Sequence, residues 1–222
     1  MIPKTFINMR SIIAYILLCL PLTIVAQGTW EVPETSSSTT TTKANKPKGG
    51  SEEYEYARYL GDVVPVIDGE VEWRKTFHNN KSAEENYQMM VNHLTQMTQA
   101  ETSLPESRVQ VVNKTEHKIV CHFEEWMTFY SSILVLNRTR FIYTLACDCA
   151  DNEVTVRLMR LSYVDHDDNK KVDKHKAEEW ITDQYALNKK RTKLMRITGK
   201  YRRLTVDRME EVMEQMKGVI EN

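Results

Sequence analysis

The sequence predicts an α+β fold, a curved antiparallel sheet with its helices packed on one face. Three observations predict it. Two segments with helical apolar spacing bracket a central run of strand-like segments that shows no helical period. Short polar turns separate those central segments, which favours antiparallel meander pairing. The order of strand, helix, run of strands and then helices places the helices together rather than alternating them with strands. The seven glycines lie at 28, 49, 50, 61, 69, 199 and 218, so neither G-x-G-x-x-G nor G-x-x-x-x-G-K-[ST] can be drawn, and nucleotide-loop α/β folds are excluded.

Of the 222 residues, 41% are hydrophobic, and 30 Lys+Arg stand against 31 Asp+Glu. Lys4 and Arg10 precede an apolar run from Ile12 to Ala26 that is broken by Pro21. This is the pattern of a signal peptide, with cleavage expected after Ala26. The run is shorter than the roughly 20 apolar residues of a spanning helix, and no stop-transfer segment follows it. Cys19 follows Leu18, where a lipid-modified signal wants a small residue, so acylation is not expected. Removing residues 1–26 leaves 28 bases against 31 acids, a net charge of about −3. The expected address is therefore the periplasm or the outer membrane, or secretion. Residues 27–53 are rich in Ser, Thr, Lys, Pro and Gly, offer little to bury and read as a disordered tether. Residues 54–222 remain as one domain of ordinary size.

Within it, Val71, Trp73 and Phe77 alternate with polar neighbours and predict a strand over Glu70–Phe77, announced by Pro65 and Asp68-Gly69. A helix is predicted over Ala83–Gln99, with Ser82 and Glu85 in capping-box spacing and Tyr87, Met90, Val91, Leu94 and Met97 along one face. Strands follow at Arg108–Lys114, Lys118–Glu124, Thr128–Leu136, Arg140–Cys147 and Glu153–Tyr163. After a loop from Asp165 to Lys174, a short helix is expected over Ala177–Leu187, with Trp180 as its buried anchor. Val206, Met209, Met213, Met216 and Ile220 predict a last helix with Thr205 as its N-cap. Phe141, Tyr143 and Leu145 alternate with Ile142 and Ala146, so the second sheet face is not purely polar, and a partner there is expected.

The stretches YLGDVVPVIDGEVEWRKTF (59–77), SSILVLNRTRFIYTL (131–145) and AEEWITDQYALNKKRTKLMRITGKYRRLTVD (177–207) resemble an exported domain family of unknown function from Gram-negative gut bacteria. Its fold is described as TATA-binding-protein-like. The resemblance covers nearly all of residues 55–220 and implies one strand, one helix, a meander and a closing helix. It implies no activity, and the name of the fold does not import DNA binding.

The strongest local charge feature is Lys189–Arg208, where nine bases meet the single acid Asp207. Lys193, Arg196, Lys200, Tyr201, Arg202 and Arg203 are the candidate anion- or partner-binding residues, with Arg forks for geometry and Tyr201 for stacking. The competing reading is a solvated arm whose bases pair with nearby glutamates. Nucleic acid is not expected as a partner, because the exported chain lacks a broad basic footprint. Asp165, Asp167 and Asn169 match the start of a calcium loop, but Lys170 and Lys176 stand where that template needs Gly and Glu. No metal or cofactor is expected. Zinc, thiol-redox and serine-hydrolase motifs are absent from the sequence, so no catalytic residue is assigned. Three cysteines remain after the signal, and a bridge from Cys121 to Cys147 or Cys149 competes with three small core residues. The expected function is a non-catalytic envelope module that binds a protein, anionic lipid or glycan. The alternative is a hydrolase-type enzyme acting on an envelope or dietary substrate.

Overall fold

A computed structural model describes residues 56–131, 136–165 and 172–222. The expected signal peptide, the tether and the acidic loop beyond Asp165 lie outside the described residues. Two short strands, β1 (Val66–Ile67) and β2 (Glu70–Val71), pair through a turn in which Asp68 and Gly69 both take positive φ, 51° and 84°. That combination suits a two-residue hairpin, and it is one place where glycine's freedom is needed. The backbone N–H of Glu72 then turns aside to Pro65 O, so the single strand expected over Glu70–Phe77 is split, and β3 runs Trp73–His78.

Helix α1 (Ala83–Thr98) forms as its sequence predicts. The Ser82 hydroxyl accepts from the Glu85 N–H while the Glu85 carboxylate accepts from the Ser82 N–H, and Tyr87, Met90 and Leu94 are buried. Four strands follow: β4 (Arg108–Asn113), β5 (Lys118–Ser131), β6 (Leu136–Ala150) and β7 (Glu153–Asp165). All pair antiparallel, in the order β3-β7-β6-β5-β4. The two strands expected within 118–136 are thus mostly one, because Glu124, Glu125 and Trp126 pair in register with Ile142, Phe141 and Arg140 without a break. Where the loop from Asp165 is expected to run to Lys174, a strand, β8 (Asp173–Lys176), pairs with the last residues of β7.

Alternation along the strands sorts the two faces. Ile119, Cys121 and Phe123, Phe141, Tyr143 and Leu145, and Val154, Val156 and Leu158 point to one side and are almost fully buried. A bulge at Arg160, with φ 57°, inserts one extra residue into β7. It resets the alternation so that Leu161 and Tyr163 return to the buried face instead of being turned outward. Helix α1 packs across β4–β6, and the long C-terminal helix α3 (Thr198–Ile220) packs on β3 and β7. Both helices lie on this one face, as the fold class requires.

The helical segments hold the largest departures from expectation. A 3-10 turn (Ala177–Glu179) and a four-residue helix α2 (Asp183–Ala186) replace the continuous helix of 177–187. The carbonyl of Ile181 is taken by Arg202, and the chain restarts at Thr182, whose carbonyl accepts from Tyr185 and Ala186. Helix α3 begins at Thr198, eight residues before Val206, so Thr205 is not its cap but an interior residue that shares a 2.7 Å hydrogen bond with Tyr163 Oη. The apolar stripe of Val206, Met209, Met213, Met216 and Ile220 is buried, at about 1.5–3 kcal/mol for each large side chain fully removed from water.

Of the two readings of the cysteines, the structure has the small core residues and not the bridge: Cys121, Cys147 and Cys149 are free and buried. Cys121 stands opposite Leu145 and Cys147 opposite Ile119, which makes the two cysteines diagonal neighbours on one face. Diagonal Cα atoms sit roughly 7–8 Å apart, beyond the span of a normal disulfide. Burial pushes the thiols of Cys121 and Cys149 up to about 12.

Candidate functional site

The basic run at 189–208 does not fold as one surface, because the start of α3 divides it. From Thr198 onward helical phase decides which side chains turn inward, and three of the expected binding residues turn away from solvent. Arg202 is completely buried. Its Nε donates to Tyr59 O at 2.7 Å, its Nη1 to Ile181 O at 2.8 Å and its Nη2 to Gly61 O, while Nη2 also lies 2.8 Å from Asp183 Oδ1. Every edge of the guanidinium is therefore occupied by the protein itself. Tyr201 is buried among Phe129, Tyr163 and Trp180, and its hydroxyl donates to Asp165. Burial, reinforced by that carboxylate, holds its phenol well above the ordinary range. Arg203 lies half-buried over the ring of Tyr56, 5.4 Å from its centre.

Arg208 likewise points inward. Its Nε and Nη2 each donate at 2.8 Å to Glu125, a carboxylate only 6% exposed on the helix-bearing face, and Tyr143 Oη donates to the same group. Burial works against the charge on Arg208, but the two-pronged bond to Glu125 outweighs it and keeps the guanidinium protonated. The stripe of the last helix, continued backwards by four residues from Val206 and Met209, lands on Arg202 and Thr205. That spacing is the signal that could have marked Arg202 as a core residue.

Lys189, Lys190, Arg191, Lys193, Arg196 and Lys200 are exposed on the connector between α2 and the first turn of α3. Of the six residues expected to bind together, Lys193, Arg196 and Lys200 share this surface, while Tyr201, Arg202 and Arg203 do not. Trp180 is half-buried as a stacking partner of His175, with ring centres 3.9 Å apart.

Sequence reasoning assigned no site residue on the opposite side of the sheet, yet that side carries an organised polar cluster. Among the described residues no helix packs against it. At its centre the carboxylate of Glu124 is 8% exposed and is gripped by His122 Nε2 at 2.9 Å and Arg140 Nη1 at 3.0 Å. Burial raises the carboxyl of Glu124, but bonds from His122 and Arg140 overcome it and hold the group below its ordinary range. Short side chains, Thr144, Ala146 and Ser162, form a buried floor beside this cluster. Arg157 pairs with Asp148 at 2.8 Å on one flank. On the other, the indole of Trp126 is 36% exposed and the guanidinium of Arg138 lies 3.8 Å from its ring centre. The signal in the sequence was the alternation of His122, Glu124 and Trp126 along one strand face.

A third surface is an open groove of about 520 Å³ on the helix side, lined by Arg58, Lys75, Asp207, Glu210, Glu211, Met213 and Glu214. Arg58 closes most of its charge by pairing with Asp207 at 2.6 Å and Glu210 at 2.9 Å. Among the described residues no group of three His, Cys, Asp or Glu side chains is placed to hold a metal ion, and no helix is long and apolar enough to cross a membrane.

Comparison with known proteins agrees with this architecture. Residues 74–164 match the model of a domain of unknown function, DUF4468, with a TBP-like fold. A crystal structure of a DUF4468 family protein from Bacteroides ovatus is 33% identical, covers 75% of this chain and 95% of its own, and superposes with a TM-score of 0.68. A TBP-like protein from Parabacteroides distasonis is 18% identical over 72% of this chain and 98% of its own, with a TM-score of 0.58, and speaks to the fold alone. No curated protein matches the chain.

Proposed function

The chain belongs to the DUF4468 family of domains with a TBP-like fold, and we propose that it works as an exported, non-catalytic module that holds an envelope partner on the sheet face its helices leave bare. The observation that carries this reading is the cluster on that face: an exposed Trp126 stacked by Arg138, beside the Glu124 carboxylate clamped by His122 and Arg140. A flat indole and adjoining guanidinium give contact area at little conformational cost, the combination enriched where proteins meet partners. The hydrolase alternative is less well served there. A general acid needs a raised carboxyl, whereas Glu124 is held ionised by two basic groups.

The test is site-specific photocrosslinking in cells that express the full chain. A crosslinker at Thr128, on the bare face, should yield discrete adducts that disappear when Trp126→Ala and Arg138→Glu are introduced, while one at Glu214 on the helix side should not. Equal adducts from both positions, or adducts that survive the double substitution, would sink the proposal. Export is checked separately by the N-terminus of the protein recovered from the envelope, expected at Gln27.

A further inference from the structure

We propose that the connector between α2 and α3 is a bilayer-docking loop that recognises anionic phospholipid. The argument begins with composition in space. Lys189, Lys190, Lys193, Arg196 and Lys200 are exposed and make no ion pair with any described carboxylate, and Asn188–Lys200 contains no acid at all, in a chain whose net charge is −1. The same short surface carries three large apolar side chains turned to solvent: Ile197 at 64%, Met195 at 47% and Tyr185 at 42%. An acidic protein partner would use the cations and leave the apolar groups without a role. A bilayer uses both, since headgroup phosphates meet the bases while Met195 and Ile197 enter the boundary below them and Tyr185 takes the interfacial level.

The loop is also built to hold these groups in place. Leu187 and Leu194 bridge across its base, the Met195 N–H donates to Ala186 O at 2.8 Å, and Asn188 Oδ1 accepts from the Thr192 N–H at 2.9 Å. Gly199 seals the join to α3, where a Cβ would come within 2.7 Å of Leu194 Cβ. Presenting Met195 and Ile197 from a fixed loop lowers the ordering cost of docking. The charges, moreover, do not serve the helix. The first turn of α3 holds Lys200 and no acid, the unfavourable arrangement for the helix dipole.

The test puts a reporter on the loop itself. In the full chain carrying Cys19→Ser, Ile197→Cys is labelled with an environment-sensitive fluorophore, the buried thiols of Cys121, Cys147 and Cys149 being poor competitors. Vesicles of phosphatidylcholine with phosphatidylglycerol should shift the emission to the blue, and pure phosphatidylcholine should not. An N-terminal apolar segment that anchors the chain to either vesicle leaves this contrast intact, because the probe reports only position 197. Lys189→Glu, Lys193→Glu, Arg196→Glu and Lys200→Glu together should weaken the response on the order of a hundredfold or more, and 0.5 M salt should reverse it. The proposal is overturned by no shift with anionic vesicles, by an equal shift with neutral ones, or by an equal shift with soluble poly-glutamate. A shift that survives the four charge reversals does the same. All four positions are exposed, so an unchanged circular dichroism spectrum is expected of that variant.

Discussion

Lys200 and Arg202 are two residues apart and carry the same charge, yet they belong to different kinds of structure. Lys200 ends a row of solvated bases, whereas Arg202 is completely buried and donates to the carbonyls of Tyr59, Gly61 and Ile181. What separates them is helical phase. Once α3 starts at Thr198, the turn that carries Val206 and Met209 inward carries Arg202 and Thr205 inward as well. A charge run in a sequence therefore has to be folded onto its helix before it is assigned to a surface.

Three experiments break or sharpen this comparison. The largest effect is expected from Arg202→Met, which takes the guanidinium away from three carbonyls and Asp183. It should cost about 3–5 kcal/mol in chemical denaturation and lower the melting temperature by roughly 10 °C. Arg202→Lys should recover only part of the loss, because an ammonium cannot reproduce the fork. Wild-type stability in Arg202→Met would show that the buried half is as dispensable as the exposed one.

A smaller effect concerns another buried charge, Glu124. Its carboxyl is held below its unfolded value, so its contribution is complete above the ordinary glutamate range and is lost as pH falls through the lowered folded value. Stability should decline with acidification over that window, and Glu124→Gln should flatten this part of the profile. An unchanged profile would mean that His122 and Arg140 do not favour the ionised form. The smallest effect is expected from Lys193→Glu with Arg196→Glu on the connector, within about 0.5 kcal/mol of wild type. A larger loss in the same denaturation experiment would show that the exposed bases hold the fold after all.

The elements specified by local pattern were legible in the sequence. The capping box at Ser82 and Glu85, the alternation along β6 and the stripe of α3 all formed where their residues placed them. The parts decided by distant contacts were not. The break in the 177–187 segment is coupled to the Ile181 carbonyl's bond with Arg202, and β8 exists because the end of β7 offers it an edge. Half of the basic surface was found because exposure follows from charge when nothing else intervenes. The Glu124 cluster was missed because its meaning depends on Arg140, which stands on the neighbouring strand.

The Arg202 clamp also carries a consequence for how the chain comes into being. Its bonds to Tyr59 and Gly61 join residues 143 and 141 positions apart. At a translation rate of about 5–20 residues per second, Tyr59 and Gly61 wait on the order of ten seconds or more for the side chain that fastens them. Until then the meander can form from neighbouring hairpins, but the carbonyl of Tyr59 lacks its Arg202 donor and that of Gly61 keeps only the Val63 N–H. Closure of the domain thus waits for the last helix, and a nascent chain cut short before residue 202 would carry every strand of the sheet with Tyr59 and Gly61 unfastened.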